Sequence, residues 1–181
     1  STTLLNELVE AMEFHANADL ALPMARYMKN KFKFLGIKQP LRKELSADFI
    51  KSAGLLEGGE IIAICNNLWE LPEREYQLIA LELLYASRKK WDAAFLQFFK
   101  TIAGKKAWWD TIDFIGTKLF GGYYAQTKTP ALMLAWSNSD DIWKNRIAIL
   151  FQLNYKQETD TTLLFETILK LTGKKEFFIQ K

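Results

Sequence analysis

The chain has 181 residues, is 49% apolar and 25% charged, and carries a formal net charge of +3. Those values fit an ordinary folded globule and exclude a membrane span, because no window approaches roughly 18 apolar residues. With one histidine, His15, and one cysteine, Cys65, an internal disulfide, a zinc site, a Ser-His-Asp triad and a Cys-His dyad are all excluded. Catalysis here would rest on carboxylates, Lys, Tyr or Arg, with no metal and no cofactor.

From the N-terminus onward the dominant period is helical. Ser1 to Leu5 lacks the basic start and apolar core of a signal peptide. That and the lone cysteine point to a reducing, cytoplasmic location. Helices are expected near 3–16, 19–30, 41–53, 57–70, 73–88, 91–103, 106–120, 127–137, 140–154 and 160–171, with another beginning near Lys174. The clearest stripes are Ile61-Ile62-Cys65-Leu68-Trp69, Tyr76-Ile79-Ala80-Leu83-Leu84, Trp143-Ile147-Leu150-Phe151 and Leu163-Leu164-Thr167-Ile168-Leu171. Between them fall breakers: Gly36 and Pro40, then Gly54, Gly58 and Gly59, then Gly104, the Gly121-Gly122 pair, the capping run Ser137-Asn138-Ser139-Asp140, and Thr172-Gly173. Pro72 opens a helix whose first turn holds Glu73 and Glu75; with Glu70 and Arg74 these read as a solvated, self-paired start. No strict apolar/polar alternation argues for a sheet. Paired helices spaced roughly 35–40 residues apart point to an all-α HEAT-like array, a curved α-α superhelix in one domain over 1–181. A compact irregular bundle fits the same pattern.

Three segments carry the chemistry-bearing residues. Between Arg26 and Lys43 the chain holds Arg26, Lys29, Lys31, Lys33, Lys38, Arg42 and Lys43, interleaved with Tyr27, Phe32 and Phe34, and no acid. Such a run attracts a phosphate backbone, and it also fits a solvated face beside a loop. In Ala107-Trp108-Trp109-Asp110-Thr111-Ile112-Asp113, Trp109 and Asp113 stand four apart, so a π-surface and a carboxylate share one helix face. A core role for both tryptophans, with Asp113 capping or pairing with an Arg, fits the same spacing. In Trp143-Lys144-Asn145-Arg146 the arginine lies off the apolar stripe, placed either to neutralise a phosphate or to pair with an acid. No Gly-x-Gly-x-x-Gly run or Walker-type phosphate loop is present.

Taken together, these segments resemble the AlkD family of DNA alkylation-repair glycosylases. The likeness runs through Tyr27 to Asn30 and Phe34 to Lys38 with Pro40 and Arg42. It continues through Leu68-Trp69 and Arg74 to Gln77, Trp108 to Asp113, Trp143 to Leu153, and Glu176 to Lys181. The resemblance implies a stack of HEAT-like helical pairs that holds duplex DNA and excises N3- or N7-alkylated purines such as 3-methyladenine and 7-methylguanine. It implies Asp113 as the catalytic carboxylate, Trp109 as an aromatic neighbour of the lesion, and Arg146 and Tyr27 as DNA contacts. Lys29, Lys38, Arg42 and Lys43 of the basic run join those contacts. It also implies a further active-site Trp in a helix beyond Lys181, so the domain is expected to lack the family's C-terminal helices. The partner the resemblance implies is duplex DNA carrying alkylated purines, and a monomer is expected because no coiled-coil heptad appears.

Two rivals stand beside the glycosylase: a non-catalytic binder of damaged or branched DNA, and a HEAT-type protein-interaction module. Asp113, Trp109 and Arg146 together favour the enzyme over the first, and the basic run favours both DNA readings over the second.

Overall fold

Apolar stripes and breakers become helices in a computed structural model that describes residues 2–128 and 131–181. Among the described residues no strand forms; Lys33 and Glu73 make an isolated parallel bridge. No helix there is long and apolar enough to cross a membrane. The chain divides into two compact units, Ser1–Lys90 and Trp91–Lys181.

The first unit contains α1 (Thr2–Phe14), α2 (Ala18–Tyr27), α3 (Gln39–Ala53), α4 (Gly58–Glu70) and α5 (Arg74–Ala86), then a 3-10 turn, Arg88–Lys90. Asn17 starts α2, its side-chain oxygen accepting from the N–H groups of Asp19 and Leu20 at 3.0 and 3.2 Å. Pro40 sits in the first turn of α3, where the missing N–H costs nothing. Helix α1 packs on α3, α3 on α5, and α5 on α4. The expected stripe on α5 is buried in full: Tyr76, Ile79, Ala80, Leu83 and Leu84.

The start of α5 departs from the sequence reading. Arg74 and Glu75 are fully buried rather than solvated. The Glu75 carboxylate accepts three backbone N–H groups from a distant segment: Leu35 to Oε2 at 3.0 Å, and Gly36 and Ile37 to Oε1 at 3.0 and 3.1 Å. A buried charge is tolerable when donors surround it in this way. The Arg74 guanidinium lies 3.8 Å from the centroid of the Phe32 ring, a cation–π contact. Gly36 completes the packing: its φ is +89°, and a Cβ there would collide with the Asn17 carbonyl.

The second unit contains α6 (Ala93–Ala103), α7 (Trp109–Phe114), a π-helical segment (Ile115–Phe120) and α8 (Gly121–Thr127). After these come α9 (Ala131–Ser137), α10 (Ile142–Leu150), a 3-10 turn (Lys156–Glu158), α11 (Thr161–Leu171) and α12 (Phe177–Gln180). Residues 129–130, within the helix expected over 127–137, lie outside the described residues. Asp92, Asp141 and Asp160 cap α6, α10 and α11 with their side-chain oxygens. Helix α10 is the hub, packing against α7, the π-segment, α9, α11 and α12.

Gly121-Gly122, expected to separate two helices, sits inside continuous helix that runs to Thr127. The reason is packing. A Cβ on Gly121 would collide with the Phe151 carbonyl oxygen at the end of α10, so glycine allows the two backbones to approach. The Tyr155 hydroxyl donates to the Gly121 carbonyl at the same place. On α11 the buried residues are Leu163, Thr167 and Leu171, while Ile168 of the expected stripe is 39% exposed.

Candidate active site

Asp113 lies near the end of α7, one helical turn after Trp109 and just before the π-segment. π-turns occur disproportionately beside functional residues. Arg146, on the central helix α10, meets Asp113 in a two-pronged ion pair. Its Nε donates to Oδ1 at 2.6 Å and its Nη2 to Oδ2 at 2.8 Å. The third nitrogen, Nη1, donates to the Phe178 carbonyl at 2.6 Å. The Arg146 side chain is 13% exposed and that of Asp113 is 36% exposed, so the base of the pair is enclosed while the carboxylate faces outward. A fork–fork pair of this kind fixes both position and orientation of the carboxylate.

An aromatic wall stands beside the pair. The Trp108 ring meets Trp143 edge-on at 5.6 Å and Phe178 at 5.2 Å, and Trp143 and Phe178 lie 5.2 Å apart. Trp108 is the extended residue that starts α7. It therefore leaves the helix face that carries Trp109 and Asp113, and packs against α10 and α12 through Trp143 and Phe178. Trp109 itself is half-buried in the first turn of α7. A cavity of about 340 Å³, lined by Arg146, Leu150, Ile168, Leu171, Phe178 and Ile179 among others, opens behind the arginine.

The α10 helix is held in register by Asn145, which is fully buried. Its Nδ2 donates to the Trp136 and Ser139 carbonyls at 2.8 and 2.9 Å. This clamp ties the turn before α10 to the helix that carries Trp143 and Arg146. The Thr117 hydroxyl donates to the Asp113 carbonyl at 2.7 Å, tying the π-segment to α7.

In the first unit, Tyr27 ends α2 and is 71% exposed. Lys29, Lys38 and Lys43 are exposed as well, as are Arg26, Lys31 and Lys33. Lys29 and Asn30 take left-handed backbone angles, φ 56° and 55°, immediately after α2. Arg42 is different. It is 7% exposed, and its Nη2 donates to Glu82 Oε1 on α5 at 3.0 Å. Its charge is engaged inside the unit, so it is not among the outward-facing cations of the segment.

Two contributors escaped the sequence reading. Phe178 supplies a backbone carbonyl and a ring to Arg146, and Trp108 joins the aromatic wall with Trp143 and Phe178. The Phe177-Phe178 doublet was the available signal for the first; nothing in a sequence marks a carbonyl as an acceptor.

These features can be set beside known proteins. The family model described as DNA alkylation repair enzyme matches residues 8–181. Among solved structures the chain is similar to a predicted DNA alkylation repair enzyme from Enterococcus faecalis, with a TM-score of 0.85 and 30% identity. That likeness covers 91% of this chain and 78% of the other. No curated protein matches the sequence. With a family model covering almost its whole length and an all-α helical-repeat fold to go with it, the chain belongs to the DNA alkylation repair enzyme family.

Proposed function

We propose that the chain is a DNA glycosylase that hydrolyses the N-glycosidic bond of cationic N3- or N7-alkylated purines in duplex DNA, with Asp113 as the working carboxylate. The observation that carries this reading is the Asp113–Arg146 pair: an outward-facing carboxylate held at two points beside aromatic rings.

Alkylation at N3 or N7 leaves a positive charge on the purine, so the base departs without being protonated first. The C1′–N bond breaks, its electron pair leaves with the base, and the base becomes neutral. The sugar is left with oxocarbenium character. A carboxylate stabilises that charge and orients the attacking water, whose oxygen bonds to C1′ while its proton passes to Asp113 and on to solvent. One carboxylate suffices, unlike the pair used by most glycoside hydrolases. Each Asp113 oxygen gives one lone pair to Arg146 and keeps another for water. Trp109 is assigned to the lesion's neighbourhood, where a π-face beside a cation contributes about 0.5–2 kcal/mol. Arg146 also retains N–H groups on Nη1 and Nη2 for a phosphate. In this reading the HEAT-like basic segment, with Tyr27, Lys29, Lys38 and Lys43, grips the DNA backbone and the protein acts as a monomer.

Occupation of both Asp113 oxygens by Arg146 favours a second reading, a non-catalytic binder of damaged or branched DNA. Release of alkylated base from methylated duplex DNA decides between the two: release supports the enzyme, and tight binding without release supports the binder.

A further inference from the structure

We infer that Glu75 is a positioning residue for DNA binding, whose buried carboxylate fixes the 28–38 segment so that Lys29, Lys33 and Lys38 meet a phosphate backbone as a preset group. The inference rests on the proposed grip of the basic segment on duplex DNA.

The segment joining α2 to α3 has no regular structure, and irregular connections are mobile by default. This one is tied down at nearly every residue from 32 to 37. Phe32 lies on the Arg74 guanidinium, and the Lys33 carbonyl accepts from the Arg74 N–H at 2.8 Å. The Leu35 carbonyl accepts from the Asn17 N–H at 2.8 Å. The N–H groups of Leu35, Gly36 and Ile37 all end on Glu75.

Those three donors to Glu75 belong to the basic segment and none to α5 itself. The carboxylate therefore acts on the loop across 38–40 positions of sequence. Lys29 holds a left-handed backbone, φ 56°, at the head of the same segment. Such strain persists only where the surroundings over-determine it. The lysines stand between or beside these anchors with their side chains exposed. A cation group that is already ordered loses less entropy on meeting phosphates than a mobile one.

Glutamine at position 75 keeps the shape but offers one acceptor oxygen for three N–H groups, and its amide turns donors toward donors. The test measures binding of the full chain to a methylated duplex over a range of salt, together with single-turnover base release at saturating enzyme. For Glu75→Gln the expected result is affinity weaker by about tenfold and a salt slope shallower by about 1–3, the mark of lost phosphate contacts. The release rate at saturation should stay within about twofold, because Asp113 and Arg146 are untouched. A purely structural role would lower the melting temperature and leave the salt slope of the folded fraction as in the parent. That result overturns the inference while leaving the glycosylase reading intact.

If the parent itself binds duplex DNA with no salt dependence, both the inference and the proposed grip fall. Should Glu75→Gln lose its helical circular dichroism, Glu75→Asp keeps the charge but shortens its reach to the N–H groups of Leu35, Gly36 and Ile37. A shallower slope there supports the inference, and an unchanged slope overturns it.

Discussion

Arg146 spans both oxygens of Asp113 with Nε and Nη2, at 2.6 and 2.8 Å, while Nη1 is anchored on the Phe178 carbonyl. The carboxylate thus has one permitted orientation, set from α10 and α12. Lysine keeps the charge at position 146 but has neither the fork nor the reach to three acceptors. Arg146→Lys is therefore expected to slow base release by about 10- to 100-fold, the scale of one charge-assisted interaction of roughly 1.5–3 kcal/mol. Single-turnover kinetics on methylated DNA measure it. A variant with parental rates would show that the fork does not orient the carboxylate.

The two glycines at positions 59 and 121 should respond in opposite directions. A Cβ at Gly121 meets the Phe151 carbonyl oxygen, a backbone atom that cannot step aside. Gly121→Ala is expected to cost about 1–3 kcal/mol by forcing α8 from the end of α10. Gly59, in the first turn of α4, has nothing within 4 Å of such a Cβ. Gly59→Ala should stabilise by about 0.4–1 kcal/mol, mainly by restricting the unfolded chain. Urea denaturation of the pair checks both; the same sign for both would contradict the packing account.

High pH should weaken the fold through buried neutral groups. Burial pushes the Cys65 thiol well above its ordinary value. The Tyr76 phenol is pushed up by burial first, and then by the charges of Glu13, Glu73 and Glu75. Burial does the same to Tyr155, with Tyr124 adding to the rise and a backbone hydrogen bond opposing it. Each folded value lies above the unfolded one, so the folded state holds its proton longer. Their stabilisation is complete below the unfolded values, about 8.5 for a thiol and about 10 for a phenol, and is lost as pH climbs past them. The melting temperature is expected to hold from pH 7 to about 8.5 and then fall; a flat profile to pH 11 would contradict this.

Two tyrosines offer a sharper contrast. Among the described residues the buried Tyr76 hydroxyl has no hydrogen-bond partner, whereas the Tyr155 hydroxyl donates to the Gly121 carbonyl. Tyr76→Phe removes an unsatisfied group and should be neutral or stabilising, while Tyr155→Phe loses a hydrogen bond that is made and should cost about 0.5–1.5 kcal/mol. Thermal unfolding of the two variants tests this, and a larger loss at Tyr76 would refute it.

Much of the fold was legible because burial leaves a period in the sequence. The α5 stripe from Tyr76 to Leu84 is buried as its spacing implies, and the spacing of Trp109 and Asp113 places them on one helix as expected. The failures share a cause: the decisive partner was invisible. Glu75 reads as a solvated acid because its partners are backbone N–H groups of residues 35–37. The pairing of Arg42 with Glu82 was hidden because the acid lies 40 positions away. Gly121-Gly122 reads as a stop because close approach to Phe151 is a tertiary fact, and it outweighs the poor helix propensity of glycine. For Arg146 the sequence left phosphate or acid open; the structure pairs it with Asp113 and leaves N–H groups over.

The most direct measurement is release of 7-methylguanine from methylated duplex DNA by the parent and by Asp113→Asn. Asparagine preserves size and removes the charge that would stabilise the sugar cation, so the account predicts release by the parent and a loss of about 100-fold or more in the variant. Release that is equal in the two proteins, or absent from a parent that still binds the DNA, would contradict the assignment of Asp113 as the working carboxylate.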